Sequence, residues 1–130
     1  MPPKEIEPGE PREWLRHAWS DLELARTHRN SKVPLEDLCF HAQQTAEKAL
    51  KAVLVLRSVP FPRTHNIGTL VDLLPGDLNL PGEVEEASSL TEYAVLTRYP
   101  GDFEPVTEKE YLEAIRIAEA VIQWAQKIVE

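Results

Sequence analysis

The chain reads as an all-α, up-and-down bundle of about five helices, four long and one short. Three observations carry that reading. Apolar residues recur three and four positions apart along most of the 130 residues, which is the period of a helix with one buried face. No segment alternates with the two-residue period of a strand. Proline and glycine, which interrupt helices, gather at a few points between the periodic stretches.

The elements follow in order. Residues 1–11 hold four of the eleven prolines and little that can pack, so they read as a flexible N-terminal tail ahead of one helical domain, 12–130. From Arg12 to about Arg29, Leu15, Ala18, Trp19, Leu22 and Ala25 lie on one helical stripe that Trp14 widens. Asn30–Val33 is a break, and Pro34 suits the first turn of a second helix. That helix is expected to reach Val59, where Pro60 and Pro62 stop it. Its dry stripe runs through Leu35, Leu38, Ala42, Thr45, Ala49, Ala52 or Val53, and Leu56, and the alanines let a neighbouring helix approach closely. Thr64 can cap a short third helix, about His65 to Leu74, ended by Pro75-Gly76. A Pro/Gly turn over 75–82 leads to a fourth helix, roughly Glu83 to Tyr99, which Pro100-Gly101 terminates. Thr107-x-x-Glu110 is a capping-box pattern that opens the last helix.

The last helix carries two apolar stripes side by side. One is Tyr111, Ile115, Ala118, Ile122, Ala125 and Val129; the other is Ala114, Ile117, Val121, Trp124 and Ile128. One stripe closes a monomer core, so the second predicts either a central place in the bundle or, the favoured expectation, a self-association surface.

Composition narrows the function classes. The net charge of −8 argues against passive binding to nucleic acid. Its distribution is uneven: residues 11–66 carry nine basic against six acidic side chains, whereas 67–130 carry four against thirteen. An anion site therefore draws on the first half, with Arg98 as the main candidate from the second. No apolar run approaches the roughly 18–20 residues of a membrane span, and the N-terminus has no apolar signal core. One cysteine, Cys39, cannot form an internal disulfide and suits a reducing cytoplasm, where it is expected to be a small buried hydrophobe. The histidines at 17, 28, 41 and 65 show no metal-ligand spacing. With no glycine-rich phosphate loop and no nucleophile elbow either, no cofactor, metal or catalytic residue is expected.

Binding groups are easier to name. His41, Gln44, Lys48 and Lys51 share one face of the second helix. Glu47 can pair with Lys51 across one turn, an interaction worth about 0.3–0.5 kcal/mol when exposed. Arg63 and His65 stand where the third helix begins, and free amides at a helix start favour anions. Arg98 and Tyr99 close the fourth helix. An arginine is at home in a last turn for dipole reasons alone, yet the two side chains together could meet phosphate and base.

DLELA in the first helix, HAQQTAEKALKAVL in the second, RTHNI opening the third and TRYPG after the fourth together resemble the HEPN family, the higher eukaryotes and prokaryotes nucleotide-binding domain. The resemblance runs from about Trp14 to Trp124. It implies a four- or five-helix bundle that dimerises or forms a higher homo-oligomer. It also implies a partner, a minimal nucleotidyltransferase that would supply metal-binding carboxylates and the transfer chemistry. This chain would then supply a nucleotide- or substrate-binding surface built from Lys48, Lys51, Arg63, His65, Arg98 and Tyr99, with His41 and Gln44 as secondary contacts.

A second branch of the family consists of ribonuclease toxins with an Arg-x(4–6)-His motif. Arg98 matches the arginine, but the histidine position falls on Phe103, Glu104 or Pro105. Phenylalanine cannot move a proton, and Glu104 would set negative charge beside an RNA phosphate, so RNA is a disfavoured ligand. Arg12-x4-His17 matches formally but lies in the wrong helix. The alternatives to a binding subunit are therefore a ribonuclease toxin with a degenerate motif, and a non-catalytic dimeric scaffold or antitoxin-like bundle.

Overall fold

The computed structural model describes residues 9–27, 32–96 and 105–130. Among them every regular element is helical: α1 Pro11–Ala25, α2 Leu35–Leu56, α3 Ile67–Asp72, α4 Gly82–Glu86, a 3-10 segment Ala87–Glu92, α5 Tyr93–Leu96 and α6 Glu108–Val129. Residues 1–8 of the expected tail lie outside the described residues, and Pro11, its last residue, opens α1.

The core forms where α1, α2 and α6 meet. Ala18 and Ala25 of α1, Ala42, Ala46, Ala49 and Ala52 of α2, and Ala118 and Ala125 of α6 are fully buried. Small side chains at these contacts let the helix backbones approach. Leu22, Leu50, Leu54 and Ile122 fill the space between them. The helices run antiparallel in the first pair: Trp14, early in α1, neighbours Lys51, late in α2, while Asp21 reaches back to His41. Burial also explains the lone cysteine. Cys39 is enclosed, and desolvation pushes its thiol up to about 12, with the carboxylates of Glu110, Glu36 and Glu92 adding to the effect.

Caps decide several boundaries. Thr107 and Glu110 close the expected capping box at the start of α6. At the end of α2, Val59 N–H donates to Leu54 C=O at 2.9 Å and Ser58 N–H to Val55 C=O at 3.1 Å, the crossed pair of a Schellman turn. Ser58 takes φ 60°, where glycine is usual. The helix therefore ends at Leu56 rather than Val59. The third helix starts later than expected because Asn66, not Thr64, is its cap: Asn66 Oδ1 accepts from Thr69 N–H at 3.1 Å. Thr64 Oγ1 instead accepts from Asn66 N–H at 3.0 Å and shapes the turn before it.

The fourth helix is not continuous. Ser89 Oγ donates to Glu86 C=O at 2.8 Å and Ser88 Oγ to Glu85 C=O at 3.5 Å. Such back-bonding competes with the α-helical ladder, and the chain tightens into the 3-10 segment before α5. The end of the expected helix, with Arg98 and Tyr99, lies outside the described residues.

The two stripes of α6 have a shared explanation. Tyr111, Ala118, Ile122 and Ala125 of the first, and Ala114, Ile117 and Val121 of the second, are all buried within this one chain. The helix takes the central place, packed on α1, α2, α4 and the 3-10 segment. The first part of its second stripe is thus covered within this chain, whereas Trp124 and Ile128, at its end, are half-buried. Three long bonds fix the helix in position. Tyr111 O–H donates to Ala25 C=O at 2.6 Å, Trp19 Nε1 to Gln126 Oε1 at 2.8 Å, and Trp124 Nε1 to Asn79 C=O at 3.1 Å. No helix of the described residues is long and apolar enough to cross a membrane.

Candidate functional site

The polar face of α2 is organised by two carboxylates that sequence reasoning did not single out as binding groups. Asp21 stands on the apolar side of α1, three residues after Ala18 and four before Ala25, and is 7% exposed. Its Oδ1 lies 2.9 Å from His41 Nδ1, and its Oδ2 accepts from Lys48 Nζ at 2.7 Å. Glu47, on α2, is 3% exposed. Its Oε1 accepts from Gln43 Nε2 and Gln44 Nε2, both at 3.1 Å, and sits 3.0 Å from His65 Nδ1. Its Oε2 accepts from Lys51 Nζ at 3.0 Å. Gln43, fully buried, also donates to His65 C=O at 2.9 Å, which ties the loop after α2 down onto the helix.

Five of the expected residues are therefore drawn together through two anchors: His41 and Lys48 on Asp21, and Gln44, Lys51 and His65 on Glu47. We refer to this strip as the seam. The Glu47–Lys51 pair departs from expectation. It is not an exposed helix pair, since Lys51 is only 5% exposed. Phe61, from the loop, and Trp14, from α1, close over it, each ring centroid 5.5 Å from the ammonium. The rings meet edge to face at 6.5 Å and give the cation two π faces. Lys51 is thus held inside, and its ammonium supports the seam from beneath rather than reaching solvent. Arg63 is exposed on the loop between α2 and α3.

The carboxylates also set the imidazole tautomers. An ionised carboxylate only accepts, so each Nδ1 that faces one carries the proton. In the neutral ring Nε2 is then the acceptor. His65 offers that nitrogen from a side chain 71% exposed, while His41 and Lys48 are half-buried at the edge of the seam. The charges balance: two carboxylates face two ammoniums, and only protonation of the imidazoles makes the strip positive. Among the described residues no group of three or more His, Cys, Asp or Glu side chains could hold a metal ion.

Asp21 left a trace in the sequence, as an acid at a core-facing spacing in α1. Gln43 left less, one glutamine beside another. Neither tells that a loop some twenty residues later will seal the helix face.

Comparison with known proteins places the chain. The HEPN domain family model matches residues 11–128. A protein of Methanocaldococcus jannaschii that bears the name "Putative toxin MJ1304" is 30% identical over 129 residues, covering 85% of this chain and 82% of that one. The crystal structure of TT1696 from Thermus thermophilus superposes with a TM-score of 0.78 at 31% identity, over 91% of this chain and 97% of that one. The structure of ST0689, described as an archaeal HEPN homologue, gives a TM-score of 0.72 at 28% identity, over 95% and 100%. This chain belongs to the HEPN family.

Proposed function

We propose that this HEPN-domain chain is a nucleotide- or substrate-binding subunit that works as a homo-oligomer with a minimal nucleotidyltransferase. The observation that carries the reading is the seam. His41, Lys48 and His65 are held at the surface by carboxylates that are themselves buried. Buried ion pairs contribute little net stability compared with apolar side chains of the same volume, and supporting groups of this kind are what a binding site needs to keep its contacts in one geometry. Lys48 and Arg63 would donate to phosphate oxygens, and His65 would do so through Nε2 when its ring is protonated, with His41 and Gln44 beside them. Arg98 would add a planar fork of donors, and Tyr99 a face on which a base can stack. Because the seam is electrically balanced, affinity for an anion rests on these few directed donors rather than on bulk charge.

Calorimetric titration with ATP, and co-purification with a nucleotidyltransferase co-expressed from the same genome, test the reading. Saturable binding that Lys48→Ala weakens, or a stable complex, is expected. Neither binding nor association would overturn it.

A second reading is favoured by the name of the M. jannaschii relative. In it the chain is a growth-inhibiting toxin that uses Arg98, with Phe103, Glu104 and Pro105 where a ribonuclease histidine is expected. Growth arrest on expression, abolished by Arg98→Ala, would support it; unchanged growth and intact cellular RNA would end it.

A further inference from the structure

Away from the seam, a cleft of about 370 Å³ opens between the 3-10 segment and α6, within the size range of small-molecule sites. Its floor is Leu90, Tyr93, Ala114 and Ile117. Its rim carries Glu92, Glu110 and Glu113 against one ammonium, Lys109. Glu110 is engaged in the capping box with Thr107, and Glu113 is paired with Arg116. Glu92 is exposed and has no counter-ion among the described residues.

The floor also offers one polar atom. Tyr93 is 7% exposed, lines the cleft, and its hydroxyl has no hydrogen-bond partner among the described residues. The hydroxyl oxygen itself still reaches solvent at the cleft, since Trp14 Nε1 is the one buried side-chain polar atom left without a partner among the described residues, so a ligand donor or acceptor entering the cleft can bond it in place of water.

We propose that this cleft binds a small organic cation, an ammonium or amidinium group on an aromatic or aliphatic body. The body covers the apolar floor. The cationic head meets the Glu92 carboxylate and donates to the Tyr93 hydroxyl oxygen. Floor and rim together select this chemistry: an anion meets three carboxylates, and a polycation without an apolar body leaves the floor wet. The negative field reaches the interior as well. Burial first, and then neighbours that include Glu110 and Glu92, hold the Tyr93 hydroxyl and the Cys39 thiol in their protonated forms. The site does not depend on the seam and stands whether or not that strip binds nucleotide.

The test is a titration of the full-length protein with phenethylammonium chloride, read by two-dimensional NMR. Saturable shifts at Leu90, Tyr93, Ala114 and Ile117 are expected. Glu92→Lys should weaken the affinity at least about fivefold, the scale of one partly exposed charge contact. Tyr93→Phe should weaken it too, whereas Lys48→Ala should leave it unchanged. Glu92→Gln, which keeps the side-chain shape, gives the same sign if the lysine variant does not fold. The proposal is overturned by an absence of saturable shifts, by equal binding of phenylacetate, by competition from spermidine as effective as that of phenethylammonium, or by indifference to Glu92→Gln.

Discussion

Helices α2 and α6 are each 22 residues long and pack against one another, yet they bury different kinds of side chain. Apart from the Tyr111 hydroxyl, everything α6 buries is hydrocarbon, and its charges stay at the surface. Alongside its leucines and alanines α2 buries Gln43, Thr45, Glu47 and Lys51. In α6 the hydrophobic effect sets which face turns inward, and the bonds of Tyr111, Gln126 and Trp124 hold it there. In α2 a polar strip is enclosed because a third segment, the loop through Phe61 and His65, folds across it and supplies partners. Helix α6 illustrates how this fold gains stability, and α2 how it gives up some of that stability to hold particular groups in place.

Breaking the seam is expected to have the largest effect. Glu47→Ala leaves Lys51 enclosed without a counter-charge and should cost about 3–5 kcal/mol in urea denaturation. Adding Lys51→Met to Glu47→Leu should recover most of that loss, since the pair is worth little against packed hydrocarbon. A loss below about 1 kcal/mol for Glu47→Ala would mean that water reaches the pair in solution. Asp21→Asn should cost less, about 1–3 kcal/mol, because His41 and Lys48 retain contact with solvent when their shared carboxylate becomes an amide. In α6, Ile122→Val removes one buried methyl group and should cost about 1 kcal/mol by the same measurement. Glu113→Ala removes an exposed ion pair with Arg116 on that helix and should change stability by no more than about 0.5 kcal/mol. If Glu113→Ala approached Glu47→Ala in cost, the contrast between the two helices would fail.

The sequence makes α6 legible almost completely. Thr107 and Glu110 announce its start, and its apolar spacing names every residue it buries. What it hides is the cover over the second stripe, because two stripes look alike whether a neighbouring helix or another copy lies against them. The positions of α1 to α3 are also readable, with boundaries displaced where a local cap, Ser58 or Asn66, outweighs the periodic pattern. The break in the fourth helix escapes such a reading because Ser88 and Ser89 act through backbone carbonyls that a hydrophobic pattern does not register. In the seam the candidate residues are visible but their organisation is not. Glu47 and Lys51 at i and i+4 look the same exposed or enclosed, and Asp21 is remote in sequence from everything it holds.

The bond from Tyr111 to the carbonyl of Ala25 joins residues 86 apart, whereas the seam contacts His41–Asp21 and His65–Glu47 span only 20 and 18. Short loops close at less entropic cost and sooner than long ones. A chain emerging from the ribosome can therefore assemble α1, α2 and the seam while α6 is still untranslated. Until residue 111 and the turns after it have been made, the parts of α1 and α2 that pack on α6 face a partner that does not yet exist. That interval is when the nascent protein is most in need of a chaperone.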